Sequence, residues 1–245
     1  MKYTLLAIAM LSLAALTQAQ PTANEIIQKV DQNLSSDNRI METAITIHGR
    51  RSSRTMTAKT YAVGTQQSFT EYLSPARDKG TKMLKLEDQL WIYSPSTDRT
   101  IQIAGHMLRQ SVMGSDLSYE DMMDDRPLTE TYEATILGKE ILDNREVYLI
   151  ELNAKVSNVA YHSSKMWVDA ERFIPLKQEM HAKSGQLLKR IELRDVEKIE
   201  GRWFPRTMVY KDLLKDGEGT EYKITDVRFN AEIPEYIFSK AALKR

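Results

Sequence analysis

From Ile40 onward the chain alternates apolar and polar residues with a period of two, and this alternation constrains the fold more than any other feature. In "METAITIHG" Met41, Thr43, Ile45 and Ile47 share one face. In "RTMTAKTYAVG" Met56, Ala58, Thr60 and Ala62 stand opposite Thr55, Thr57, Lys59, Tyr61 and Val63. The same reading predicts strands over 67–73, 80–87, 89–93, 99–103, 131–138, 146–154, 163–169, 173–182, 187–198, 203–213 and 219–229. Hairpin punctuators separate many of them: "EDQ", "SPSTD", "LDNRE", "DAER", "KSGQ", "EGR" and "KDGEG". So many strands joined by short turns predict one antiparallel meander, mainly β with a few helices, rather than alternating βαβ units.

A helix precedes the strands. Thr22 and Glu25 have the spacing of a capping box, and Ile26, Ile27, Val30 and Leu34 fall on one face, opposite Gln28, Lys29, Asp31 and Gln32. The stretches "LWIY" at 90–93 and "MVY" at 208–210 are apolar on both faces, so both sides of the sheet need cover at those points. A curved sheet with a second helical piece inside the curve would supply it. Only 105–126 and the tail "IPEYIFSKAAL" at 233–243 lack strand character, and no linker or repeat divides the chain.

At the start, Lys2, the apolar run Leu5 to Leu16 and small residues at Thr17 and Ala19 predict a secretory signal cleaved after Ala19. The run is shorter than the roughly 20 residues needed to cross a bilayer. Residues 20–245 are then expected to form a single domain in the periplasm, soluble after cleavage. The chain has 34 basic and 34 acidic side chains, so neither nucleic acid nor an anionic membrane surface is implied as a partner. It has no cysteine, so stability must come from strand pairing and a packed core.

The chemistry-bearing residues do not assemble into an active site. There is no G-x-S-x-G elbow, and His48, His106, His162 and His181 pair with no obvious serine or carboxylate. No enzymatic activity and no cofactor are expected. His106, Met107, Met113, Met122 and Met123 resemble the soft ligands of copper proteins, but their spacing matches no compact ligand set. Asp116, Glu120, Asp121, Asp124 and Asp125 lack a calcium-loop pattern and read more simply as a solvated helix face.

The stretch "GHMLRQSVMGSDLSYEDMM" at 105–123 parses as two short amphipathic pieces. Met107, Leu108, Val112 and Met113 form one apolar patch at helical spacing, and Gly114 interrupts it. Ser118 with Asp121 then starts a second turn carrying Met122 and Met123, and Pro127 prevents its continuation. The pattern suits a hinged apolar cover and an ordinary core segment equally well.

The run "SPARDKGTKMLKLEDQLWIYSPSTDRTIQIAGHMLRQSVMGSDLSYEDM" closely resembles the outer-membrane lipoprotein-sorting-like proteins, in the superfamily of the periplasmic lipoprotein carrier LolA and its receptor LolB. "MWVDAERFIPLKQEM", "GRWFPRTMVYKD" and "IPEYIFSKAAL" extend the likeness over nearly all of 22–243. The resemblance implies an unclosed antiparallel β-barrel, a half-barrel of about eleven strands, with helices covering an apolar cavity. It implies a carrier of lipoprotein or lipid acyl chains, with an inner-membrane exporter of the RND or ABC type and an outer-membrane acceptor as partners. It also implies a barrel arginine that hydrogen-bonds lid carbonyls; Arg77, Arg99 and Arg109 are the candidates, and the role is assigned to none.

The expected cavity and lid residues are Leu90, Trp91, Ile92 and Tyr93 in the strand, and Met107, Leu108, Val112, Met113, Leu117, Met122 and Met123 in the insert. Alternation lets only one of the pairs Leu90/Ile92 and Trp91/Tyr93 face the cavity. A Met-rich copper-binding protein and a structural adaptor of an exporter are the alternative readings.

Overall fold

The structure is a computed structural model that describes residues 20–124 and 126–245. The expected signal segment and its cleavage site lie outside the described residues, as does Asp125.

Strands β1 (Asn38–His48), β2 (Ser53–Val63), β3 (Gln67–Ser74), β4 (Lys82–Leu86), β5 (Gln89–Ser94) and β6 (Arg99–Ile103) form one meander. A second comprises β7 (Tyr132–Leu142), β8 (Arg145–Ala154), β9 (Ser163–Asp169), β10 (Pro175–His181), β11 (Leu187–Ile199), β12 (Arg202–Asp212) and β13 (Gly219–Phe229). Antiparallel pairing of β1 with β13 joins the two, so the order is β6-β5-β4-β3-β2-β1-β13-β12-β11-β10-β9-β8-β7. The sheet has 13 strands, each where the alternation predicts one, against the smaller number implied by the resemblance. Its edge strands, β6 and β7, do not pair, so the barrel is open.

Tight turns let every short run find its neighbour. Leu142 pairs with Arg145 and Ile199 with Arg202, leaving Asp143-Asn144 and Glu200-Gly201 as two-residue turns. All four turn residues have positive φ, as a turn that matches the right-handed strand twist requires. Gly219, at the start of β13, has φ +106°, and a Cβ there would lie 2.5 Å from the Tyr210 carbonyl oxygen. Only glycine lets β13 approach β12 at this point.

Registered partners share a face, so parity passes from strand to strand. Ile45 pairs with Met56 and Tyr222, and Met83 pairs with Thr70 and Ile92, all on the inner face. At one end of this face α1 (Ala23–Leu34) lays Ile26, Ile27 and Val30 on Tyr148, Ile150, Leu152, Met166 and Val168. The expected capping box is present: Glu25 N–H donates to Thr22 Oγ1 at 3.3 Å and Thr22 N–H to Glu25 Oε2 at 2.7 Å. Asp31, on the polar side of α1, accepts from the N–H groups of Leu128 and Thr129 at 3.0 and 3.2 Å, fixing the start of α3 (Leu128–Thr131).

The doubly apolar strand "LWIY" is covered on both sides, but not by helices inside the curve alone. On the outer face Phe69, Leu84 and Trp91 are capped by Ala242 and Leu243 of the tail, which folds into 3-10 turns at Glu235–Ile237 and Lys240–Lys244. The Lys240 ammonium sits 4.1 Å above the Trp91 ring. No helix among the described residues is long and apolar enough to cross a membrane.

Leu243 is 0% exposed whereas Leu214 is 67% exposed. Urea denaturation should therefore show Leu243→Ala costing about 2–5 kcal/mol. Leu214→Ala should change stability by no more than about 0.5 kcal/mol.

Candidate functional site

Because β6 and β7 are opposite edges of the sheet, the chain between them has to cross its open side. It does so as 3-10 turns at Gly105–Arg109 and Val112–Gly114, followed by α2 (Tyr119–Met123). The single helical patch expected over Met107 to Met113 is broken: Gln110 and Ser111 are extended, and Ser111 bridges to Ser118. Gly114 interrupts the segment at φ +79°, as expected, and Met113 before it is also left-handed at φ +50°. A methionine holds that backbone only where its surroundings enforce it, and here the Arg54 guanidinium of β2 donates to the Met113 carbonyl. The capping box of α2 forms as expected, with Ser118 N–H donating to Asp121 Oδ2 at 2.7 Å and Asp121 N–H to Ser118 Oγ at 3.1 Å.

Under this segment lies a cavity of about 290 Å³. Its apolar wall combines Ile45, Ala58, Tyr72 and Ile224 of the sheet with Val112, Leu117 and Met122 of the crossing segment. Leu90 and Ile92 face the same side and share an apolar cluster with Met107, Leu108, Val112, Met113, Met122 and Met123. Trp91 and Tyr93 lie on the outer face with the tail, so alternation separates them from the other nine candidate residues. Leu108 and Met123 also edge a wider opening of about 450 Å³ beside Thr65 and Lys85. His106 is exposed while the neighbouring methionines pack inward.

The segment's underside is apolar, but its attachment to the sheet is polar. Besides Arg54, Lys85 of β4 donates to the Met123 carbonyl at 3.2 Å and the Thr65 carbonyl at 2.8 Å. Lys215, in the β12–β13 turn, donates to Ser111 Oγ and to the Ser115 carbonyl, the latter at 2.7 Å. Lys189 of β11 pairs with Asp121, which also accepts from the Tyr161 hydroxyl at 2.6 Å. Asp116 accepts from the Asp212 N–H at 2.9 Å and the Thr220 hydroxyl at 2.7 Å.

The acidic residues are thus not one solvated helix face. Asp116 is buried and the Asp121 side chain is 9% exposed, because each carboxylate finds donors on the sheet. Asp124 is exposed beside Arg126. Arg77, Arg99 and Arg109 are all exposed, whereas Arg54 donates to a carbonyl of the crossing segment. Parity was the signal for it. The face of Met56, Ala58, Thr60 and Ala62, extended by one more step, contains Arg54.

Burial by itself would raise the Asp121 carboxyl, but Lys189 and the hydrogen bonds from Lys189, Tyr161 and Ser118 hold it below its ordinary range. Burial, with Asp121 beside it, drives Tyr161 far above its usual value. Burial also pushes Tyr222 up to about 12 despite its hydrogen bond with Ser115, so the phenol at the cavity wall stays neutral.

Arg54→Ala should raise amide hydrogen exchange across 105–123 while α1 and β8 stay protected, because the clamp is local. Asp121→Asn should cost up to about 3–5 kcal/mol at neutral pH by leaving the Lys189 charge without its carboxylate. A depressed carboxyl stabilises the fold above its unfolded pKa of about 3.9 and loses that effect as pH falls through the folded value. The stability gap between Asp121→Asn and the parent protein should therefore be constant at neutral pH and close in acid, as urea titrations at a series of pH values would show.

Comparison with known proteins agrees with this architecture. A family model described as "Uncharacterized protein" matches residues 64–245. No curated protein matches the chain. Among solved structures, a domain assigned to outer membrane lipoprotein sorting from Vibrio parahaemolyticus is 24% identical with a TM-score of 0.80, covering 91% of this chain and 98% of that one. A DUF1329 family protein from Desulfovibrio piger is 24% identical with a TM-score of 0.82, covering 90% and 97%. A LolA superfamily protein from Nitrosomonas europaea is 25% identical with a TM-score of 0.75, covering 91% and 100%. The chain belongs to the family whose model matches residues 64–245, and its open half-barrel is the fold of the lipoprotein-sorting-like proteins of the LolA superfamily.

Proposed function

We propose that the protein is a periplasmic carrier that binds lipoprotein or lipid acyl chains in the inner-face cavity and passes them between membranes, or to and from an exporter. The observation that carries this reading is an apolar cavity of about 290 Å³ roofed by a segment with an apolar underside and polar attachments. Similarity to a domain named for outer membrane lipoprotein sorting supports it. Donors to the chain would be an inner-membrane exporter, and takers an outer-membrane acceptor. Binding and handing on are the whole activity, with no catalytic group and no cofactor required.

The magnitudes suit reversible loading. Each buried methylene contributes about 0.8 kcal/mol. A hydrogen bond exchanged with water contributes only about 0.5–1.5 kcal/mol. The methylenes of a whole acyl chain together offset the several hydrogen bonds and the ion pair that hold the lid, so entry of a chain can displace the lid without unfolding the sheet. An acceptor with an equally apolar surface recovers the chain at little net cost.

Native mass spectrometry of the protein purified from the cell envelope, followed by lipid extraction, should recover acylated species. Ala58→Phe, which fills the cavity wall, should lower uptake of a fluorescent fatty acid severalfold, and Trp91→Phe on the outer face should leave it unchanged. Absence of both bound lipid and uptake would overturn the carrier reading, and normal uptake by Ala58→Phe would place the chain elsewhere.

A further inference from the structure

Beside the apolar cavity lies a second compartment of about 210 Å³. The two share Leu117, Asp121 and Tyr210 as a common wall. The second differs in character: Lys189, Tyr161, Gln178 and Arg126 line it together with Met180 and Ile191. Lys189 stands on the inner face of β11, paired across the sheet with Met180 and Asp212, and its side chain is 5% exposed. Its carboxylate partner comes from the lid. Asp121 rides on the five-residue helix α2, beyond the left-handed Gly114, whereas Lys189 is fixed in a thirteen-residue strand of the sheet.

The two ends of this ion pair therefore separate when the lid lifts. Asp121 leaves with α2 and the ammonium stays on the wall. A cation left on this wall without its anion carries an electrostatic cost. An anion arriving with the cargo would remove that cost, and a neutral molecule would not. The Tyr161 hydroxyl, now donating to Asp121 at 2.6 Å, is placed to donate to the same anion.

We propose that Lys189 is the head-group site of this carrier. It takes the carboxylate or phosphate of a single-chain amphiphile whose tail fills the adjoining cavity, and Asp121 holds that position when the lid is closed. The inference rests on the carrier reading above and narrows its cargo. The apolar cavity, at about 290 Å³, is at the small end of ligand pockets, which run from about 300 to 1,000 Å³, and so suits one chain. Loading and lid release are then linked, because the anion that binds Lys189 is the one that frees Asp121.

The test is equilibrium binding of three probes to the full chain: palmitate, palmitoyl-lysophosphatidate and the neutral cetyl alcohol. The parent protein should bind at least one of the anions about tenfold or more tighter than the alcohol, and the tighter of the two identifies the head as carboxylate or phosphate. Lys189→Met also breaks the Asp121 pair, so it is read as the ratio of anion to alcohol affinity within the same variant: that ratio should fall to about one, while Lys189→Arg keeps the preference. Tyr161→Phe supplies a second readout, lowering the anion-to-alcohol ratio severalfold within the variant. Equal binding of anions and alcohol by the parent protein, or an undiminished preference in Lys189→Met, overturns the head-group site and leaves the carrier reading standing. Binding of none of the three defeats both.

Discussion

The pairing of β1 with β13 is the contact on which the rest of the architecture depends. It runs from Arg39 opposite Phe229 to His48 opposite Gly219, and it fuses two meanders that would otherwise be separate sheets. Once these two strands are neighbours, β6 and β7 are forced to opposite edges although they are consecutive in the chain. The connection between them has to pass from edge to edge, and its packing against Leu90 and Ile92 shows that it crosses the inner face. The crossing is thus a consequence of strand order, and its apolar side chains place it over the cavity.

Each surface of the crossing segment meets a different kind of partner. Its apolar side chains pack on the cluster that holds Leu90 and Ile92, while its carbonyls and carboxylates are taken by Arg54, Lys85, Lys189, Lys215 and Thr220 of the sheet and its turns. Most donors stand on the sheet and most acceptors on the lid. Burial of apolar surface is non-directional and tolerates a guest, whereas the hydrogen bonds are directional and define one closed position.

Local patterns in the sequence reported local structure well. The strand positions, both capping boxes at Thr22 and Ser118, the break at Gly114 and the positive-φ turns at Asp143-Asn144 and Glu200-Gly201 follow from neighbouring residues alone. The acidic residues of the lid misled, because a carboxylate reads as solvated unless its donors are visible, and, Ser118 apart, those of Asp116 and Asp121 lie about forty to a hundred positions away. Arg54 was missed for a related reason. Its place on the inner face was readable by parity, but which carbonyl it would meet depended on where the crossing segment settled.

What the sequence determined by itself was the set of strands, their turns and the two faces of each strand, because a period of two and a turn residue act over a few positions. It also determined that "LWIY" needed cover on both sides. Only the tertiary structure decided which side each pair faced: Leu90 and Ile92 to the lid, Trp91 and Tyr93 to the tail. Likewise only the fold brought Lys189 to Asp121 and the Arg54 guanidinium to Met113. Pairing of β1 with β13 places residues distant in the chain on one wall, and no periodicity within a strand encodes which partner lies across the cavity.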